Sequence, residues 1–167
     1  MISLPTIFEP AAGIKIIDDI IVQPGVETLE GRIGLLIRGA ASQTHYIEMP
    51  PDLYVAEHPH ETESFIYTVR GRWVLCSQAQ RHVMEPGSLF WFGADIPTGY
   101  EVPFTEPALI LIFKGSLFGS SEAFQAYLHN ELQPRLLAEQ AAGVAVFRLS
   151  ALPADHPARL FADSLRR

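Results

Sequence analysis

The stretch His58-Pro59-His60-Glu61-Thr62-Glu63-Ser64-Phe65-Ile66-Tyr67-Thr68-Val69-Arg70-Gly71 decides how the rest of this 167-residue chain is read. Two histidines stand two residues apart at the mouth of an extended, β-prone run. Side chains alternate faces along a strand, so residues i and i+2 point the same way. His58 and His60 then reach one point in space. Thr62, Ser64, Ile66 and Thr68 continue that face, and Glu61, Glu63, Phe65 and Tyr67 fall on the other.

Short β-prone runs recur on both sides of this stretch. Residues 32–38, 42–49, 53–56, 65–69, 72–76, 81–84, 89–92, 101–104 and 108–114 each read as a strand or a lead into one. Further upstream, 14–17 and 20–22 are β-branched runs broken by Asp18-Asp19. Roughly ten short strands with turn signals every 8 to 12 residues predict an all-β sandwich or barrel. After Gly115 the pattern changes. Ser120 or Ser121 can cap a helix, because a serine oxygen accepts from the orphan amides of the first turn. Glu122 suits the positive helix end. Phe124, Leu128 and Leu132 form an apolar stripe at i+4 spacing. Pro134 interrupts it, a second set of turns from Leu136-Leu137 ends at Gly143, and 144–149 reads as one more strand. Asp155 and Pro157 signal a last helix through Leu160, Phe161 and Leu165. The expectation is one domain over 1–167, with a barrel over about 14–114 and a helical C-terminal extension over about 120–167 that packs on it or crosses to a partner subunit.

The formal charge is 12 − 19 = −7. That argues against nucleic acid and anionic membrane as partners, though not against a small anion in a local pocket. No basic, apolar leader opens the chain, and no apolar run reaches the ~18 residues of a membrane span. Cys76 is the only cysteine, so an internal disulfide is impossible and a packed core thiol is expected. These features together give the expectation of a cytoplasmic protein.

The histidine stretch resembles the first motif of the cupin superfamily. There, two histidines one residue apart precede a glutamate and then a glycine; His58, His60 and Gly71 fall on matching positions, and the glutamate position is Ser64. The second cupin motif is matched by 86–100, where Gly87 and Pro97 fit. Gly93 and Asp95 replace a proline and a glycine, and the usual histidine ligand is Thr98. The resemblance covers about 32–114 and implies a double-stranded β-helix, the jelly-roll barrel. It also implies a homodimer, and a pocket that takes a small organic molecule.

Two readings of the pocket follow. Open transition-metal sites commonly use two histidines and a carboxylate. His58 and His60 would supply the imidazoles for iron, manganese, nickel or zinc, serving oxygenase-, isomerase- or lyase-type chemistry. The third ligand would come from His45, Glu61, Glu63, Glu101 or Asp95. Alternatively, with Ser64 and Thr98 at two ligand positions, the pocket is a metal-free cavity that binds or senses a metabolite. Ser64, Thr68, Thr98 and Tyr100 would then offer hydroxyls, and Phe90, Trp91 and Phe92 an aromatic wall.

Overall fold

The computed structural model describes residues 3–116 and 118–166. Ten strands form: β1 (Val26–Thr28), β2 (Gly31–Arg38), β3 (Ser42–Met49), β4 (Tyr54–His58), β5 (Ser64–Arg70), β6 (Trp73–Ser77), β7 (Gln80–Met84), β8 (Leu89–Phe92), β9 (Thr98–Glu101) and β10 (Ala108–Gly115). They make a six-stranded sheet in the order β1-β2-β3-β10-β5-β8 and a four-stranded sheet in the order β4-β9-β6-β7. The named pairings are antiparallel. This is the jelly-roll arrangement, in which sequential strands cross between two facing sheets.

The alternation read from sequence holds along β5: Ser64, Ile66 and Thr68 are buried while Phe65 and Tyr67 are exposed. Inward residues of both sheets meet in a core of Met49, Val55, Ile66, Trp73, Phe92 and Ile110. Burying side chains of this size stabilises by roughly 1.5–3 kcal/mol each. Gly71, at φ +71°, makes the turn from β5 to β6.

The helical extension begins where the serine signal placed it. The Ser120 hydroxyl accepts from the Ala123 amide and caps α1 (Ser121–Tyr127). Pro134 does not interrupt the helix. A π-turn over Leu128–Leu132 connects α1 to α2 (Gln133–Ala141), with the Gln133 N–H bonded back to the Leu128 carbonyl. Pro134 thereby falls in the first turn of α2, where a missing N–H costs nothing. Phe124, Leu128, Leu132 and Leu136 lie in one buried cluster with Val26, Ile33 and Leu35, so these helices pack on the β1–β2 side of the barrel.

Other boundaries move. The runs 14–17 and 20–22 form no strand; Ile16 makes a single bridge to Phe8, and Ile17 and Ile20 cover the outer cluster of Leu36, Tyr46 and Leu109. The first strand therefore starts at Val26. β9 occupies Thr98–Glu101 instead of 101–104, because Tyr100 pairs with both Val55 and Leu75. Residues 144–149 form no strand; they lie against the barrel through the Leu53–Arg148 bridge, the Tyr54 amide donating to the Phe147 carbonyl, and Phe147 packed with Ile33 and Leu35. The last helix, α3 (Pro157–Ser164), is capped by His156, not Asp155; the His156 Nδ1 accepts from the Ala158 amide. Among the described residues no helix is long and apolar enough to cross a membrane.

Candidate functional site

The two histidines that opened the sequence reading do not lie on β5. His58 ends β4 in the four-stranded sheet, and His60 stands in the connection that crosses to β5 in the other sheet. Their ring centroids are nevertheless 4.5 Å apart. The His58 Nδ1 is held by the Ala56 carbonyl at 3.0 Å. The His60 ring stands 5.2 Å from Phe92, and its buried Nδ1 has no hydrogen-bond partner.

Both histidines open on a cavity of about 700 Å³ between the barrel and the helices. Its walls are apolar for the most part. Ile33, Ile47, Ile66 and Ile112 come from the strands, and Phe124 and Leu128 from the α1 and π-turn segments. Polar and charged groups make up the rest. His45, on β3, faces in and is 7% exposed; its Nδ1 too has no partner, and its ring stands 5.5 Å from Phe124. Burial pushes the His45 pKa down to about 3, with Lys114 and His60 adding to the effect. Burial also lowers His60, to about 4, aided by His58 and Lys114. His45 and His60 are thus neutral imidazoles at pH 7, each with a ring nitrogen able to donate or accept.

Ser64 lines the same cavity and is 2% exposed. Tyr100 also reaches it, and its hydroxyl lies 3.0 Å from Thr98 Oγ1; burial raises the Tyr100 pKa, opposed by that hydrogen bond. Thr98 itself lines a separate shallow groove with Phe90 and Ile96. Thr68 is fully buried and accepts from the Trp73 indole, so its hydroxyl belongs to the core.

The carboxylates divide. Glu101 is 1% exposed and accepts a two-pronged bond from Arg81, with Nη2 at 2.9 Å. Glu63 accepts from the Trp91 indole on the outer surface. Asp95 is exposed and tied to the histidine loop by its amide, which donates to the His60 carbonyl. Glu61 is exposed at the cavity edge. Among the described residues no three of His, Cys, Asp and Glu gather as a metal would need. The His58 and His60 imidazoles, with no third such side chain beside them among the described residues, do not fit a transition-metal centre of three or more protein ligands.

Five charged residues at the cavity escaped the sequence reading: Glu30, Glu57, Lys114, Arg135 and Glu139. Glu30, in the turn between β1 and β2, has its pKa raised by burial, with His58 and Arg135 pulling it back. Arg135 comes from α2. Lys114, near the end of β10, is lowered by burial, opposed by Glu61. The parity of Ile110, Ile112 and Lys114 was the available signal for an inward lysine. Cys76 is a buried thiol donating to Glu57 and pushed up to about 12 by burial, as expected of a core cysteine.

A jelly roll whose inner face opens on a cavity beside the two-histidine corner is a cupin-type barrel. Residues 40–166 match the AraC-like ligand binding domain, and the chain belongs to that family. The barrel is similar to a Cupin 2 conserved barrel domain protein from Salinispora arenicola, at 16% identity and a TM-score of 0.52, over 64% of this chain and 91% of that one. It is also similar to KdgF from Halomonas sp. (13% identity, TM-score 0.48, 53% of this chain and 80% of that one). A third likeness is to an HTH_3 family transcriptional regulator from Vibrio cholerae (21% identity, TM-score 0.45, 52% and 51%). No curated protein matches the chain.

Proposed function

We propose that this cupin-like ligand-binding domain holds a small organic molecule in the 700 Å³ cavity without needing a metal, with His45 and His60 as its polar anchors. One observation carries the reading. The neutral imidazoles of His45 and His60 line a mostly apolar cavity, where a ligand oxygen or nitrogen would pair with them. Mostly apolar walls with a few convergent polar groups are the usual make-up of a small-molecule site. The reading assigns no reaction; Ser64 and Tyr100 line the pocket as further hydroxyl partners.

The same reading has the chain act as a homodimer in the cytoplasm, with no nucleic acid as partner. In favour of a second copy, Phe65, Trp91 and Phe113 stand in one exposed row across β5, edge strand β8 and β10. The net charge of −7 disfavours a polyanion.

The test is a fluorescence titration with the neutral apolar probe N-phenyl-1-naphthylamine. Saturable binding of one probe per chain, weakened by Ser64→Phe, supports the pocket. Absence of saturable binding to the folded wild-type protein sinks it.

A further inference from the structure

The inner wall of the six-stranded sheet is graded from polar to apolar. Strand register sets Gln43, Lys114 and Ser64 side by side across β3, β10 and β5. The next inward row is His45, Ile112 and Ile66, and the one beyond is Ile47, Ile110 and Thr68. One end of the wall thus carries a cation, an amide and a hydroxyl, and hydrocarbon follows.

Lys114 has no protein counter-ion: among the described residues no carboxylate lies within ion-pair distance of it. The one acid whose field reaches it is exposed Glu61. The other acids of the cavity keep different company. Glu30 interacts with His58, Arg135 and Glu139, and none of these acts on Lys114. His45, in the next inward row, lines the cavity beside Lys114. Lys114 is half-buried and burial lowers its pKa, a desolvation that a bound anion would offset.

We propose that the ligand is an organic carboxylate, its anion held by Lys114 beside the His45 imidazole, and its aliphatic or aromatic body lying on Ile47, Ile66, Ile112 and Phe124. This assignment rests on the pocket reading above and specifies its chemistry. The charge fixes the head, and the apolar rows below it select the tail. A sugar would leave those rows dry and unmatched.

The experiment is displacement of N-phenyl-1-naphthylamine from the full chain by octanoate and 4-phenylbutyrate, each beside its primary amide. The acids displace the probe at concentrations at least about tenfold lower than the amides, the ratio expected of a charge-assisted hydrogen bond. Lys114→Met weakens the acids by about 10- to 100-fold while the amides and the probe are unchanged, and Lys114→Arg restores most of the acid binding. Amides that match the acids in the wild-type protein overturn the inference without any variant having to fold. Acids indifferent to Lys114→Met overturn it too. A probe that binds but that no acid displaces ends the carboxylate assignment and leaves the pocket standing. A probe that never binds removes both.

Discussion

The rings of His58 and His60 lie 4.5 Å apart, although one residue closes a strand of the four-stranded sheet and the other belongs to the loop that crosses to the six-stranded sheet. The pair is therefore a corner between sheets and not a face of one strand. With no third metal donor gathered beside them among the described residues, both imidazoles serve as pocket wall.

Metal content follows from that geometry. Protein purified without an affinity tag and analysed by plasma mass spectrometry should carry well under one iron, manganese, nickel or zinc per chain, unchanged in His60→Ala. Near-stoichiometric metal that disappears in the variant would restore the two-histidine centre.

The buried His45 makes stability depend on pH. Its pKa is about 3 in the folded chain against about 6.5 unfolded, so below pH 6.5 the unfolded state binds a proton that the folded state refuses. The sign is a loss of stability as pH falls, complete only below the folded value. Between pH 7 and pH 5 this one group should lower the unfolding free energy by about 2 kcal/mol. Urea unfolding at the two pH values checks it. A His45→Gln variant with the same pH dependence as wild type would refute it.

Arg81 and Glu101 form a two-pronged ion pair in the four-stranded sheet, with side-chain exposures of 11% and 2%. Removing one partner strands the other charge, so Glu101→Ala should destabilise by about 3–5 kcal/mol. Probe affinity at a temperature where the variant is folded should not change, since Glu101 does not line the cavity. A loss of affinity without a loss of stability would place Glu101 at the site instead.

Gly71 holds φ +71°, and a Cβ there would overlap the Pro107 carbonyl. Gly71→Ala should cost at least about 2 kcal/mol, from left-handed strain plus the displaced backbone. A thermal midpoint equal to wild type would show that the β5–β6 turn relaxes freely.

The sequence was most legible where local chemistry decides the outcome. Alternation in β5 places Ser64 and Ile66 correctly, Gly71 marks its turn, and Ser120 starts α1. It was misleading where tertiary contacts decide. The 14–22 segment is β-branched, yet it joins neither sheet, and Ile17 and Ile20 cover Leu36 and Tyr46 instead. Pro134 reads as a break until the π-turn moves it into the first turn of α2. At the site, His45, His60 and Ser64 could be found from parity and motif spacing. Glu30 and Arg135 could not, because they meet the cavity only once the helices dock on β1 and β2. Lys114 reads as a solvated strand end, and its inward aim shows only against the parity of Ile110 and Ile112.

The most direct test of the pocket is a two-dimensional amide and methyl NMR titration of the intact chain with N-phenyl-1-naphthylamine. The account predicts shift changes concentrated at His45, Ile66, Ile112 and Leu128, with the outer face of β5 and β8 quiet. Changes confined to Phe65, Leu89 and Trp91 on that outer face would contradict it and would make the exposed sheet surface, not the cavity, the binding site.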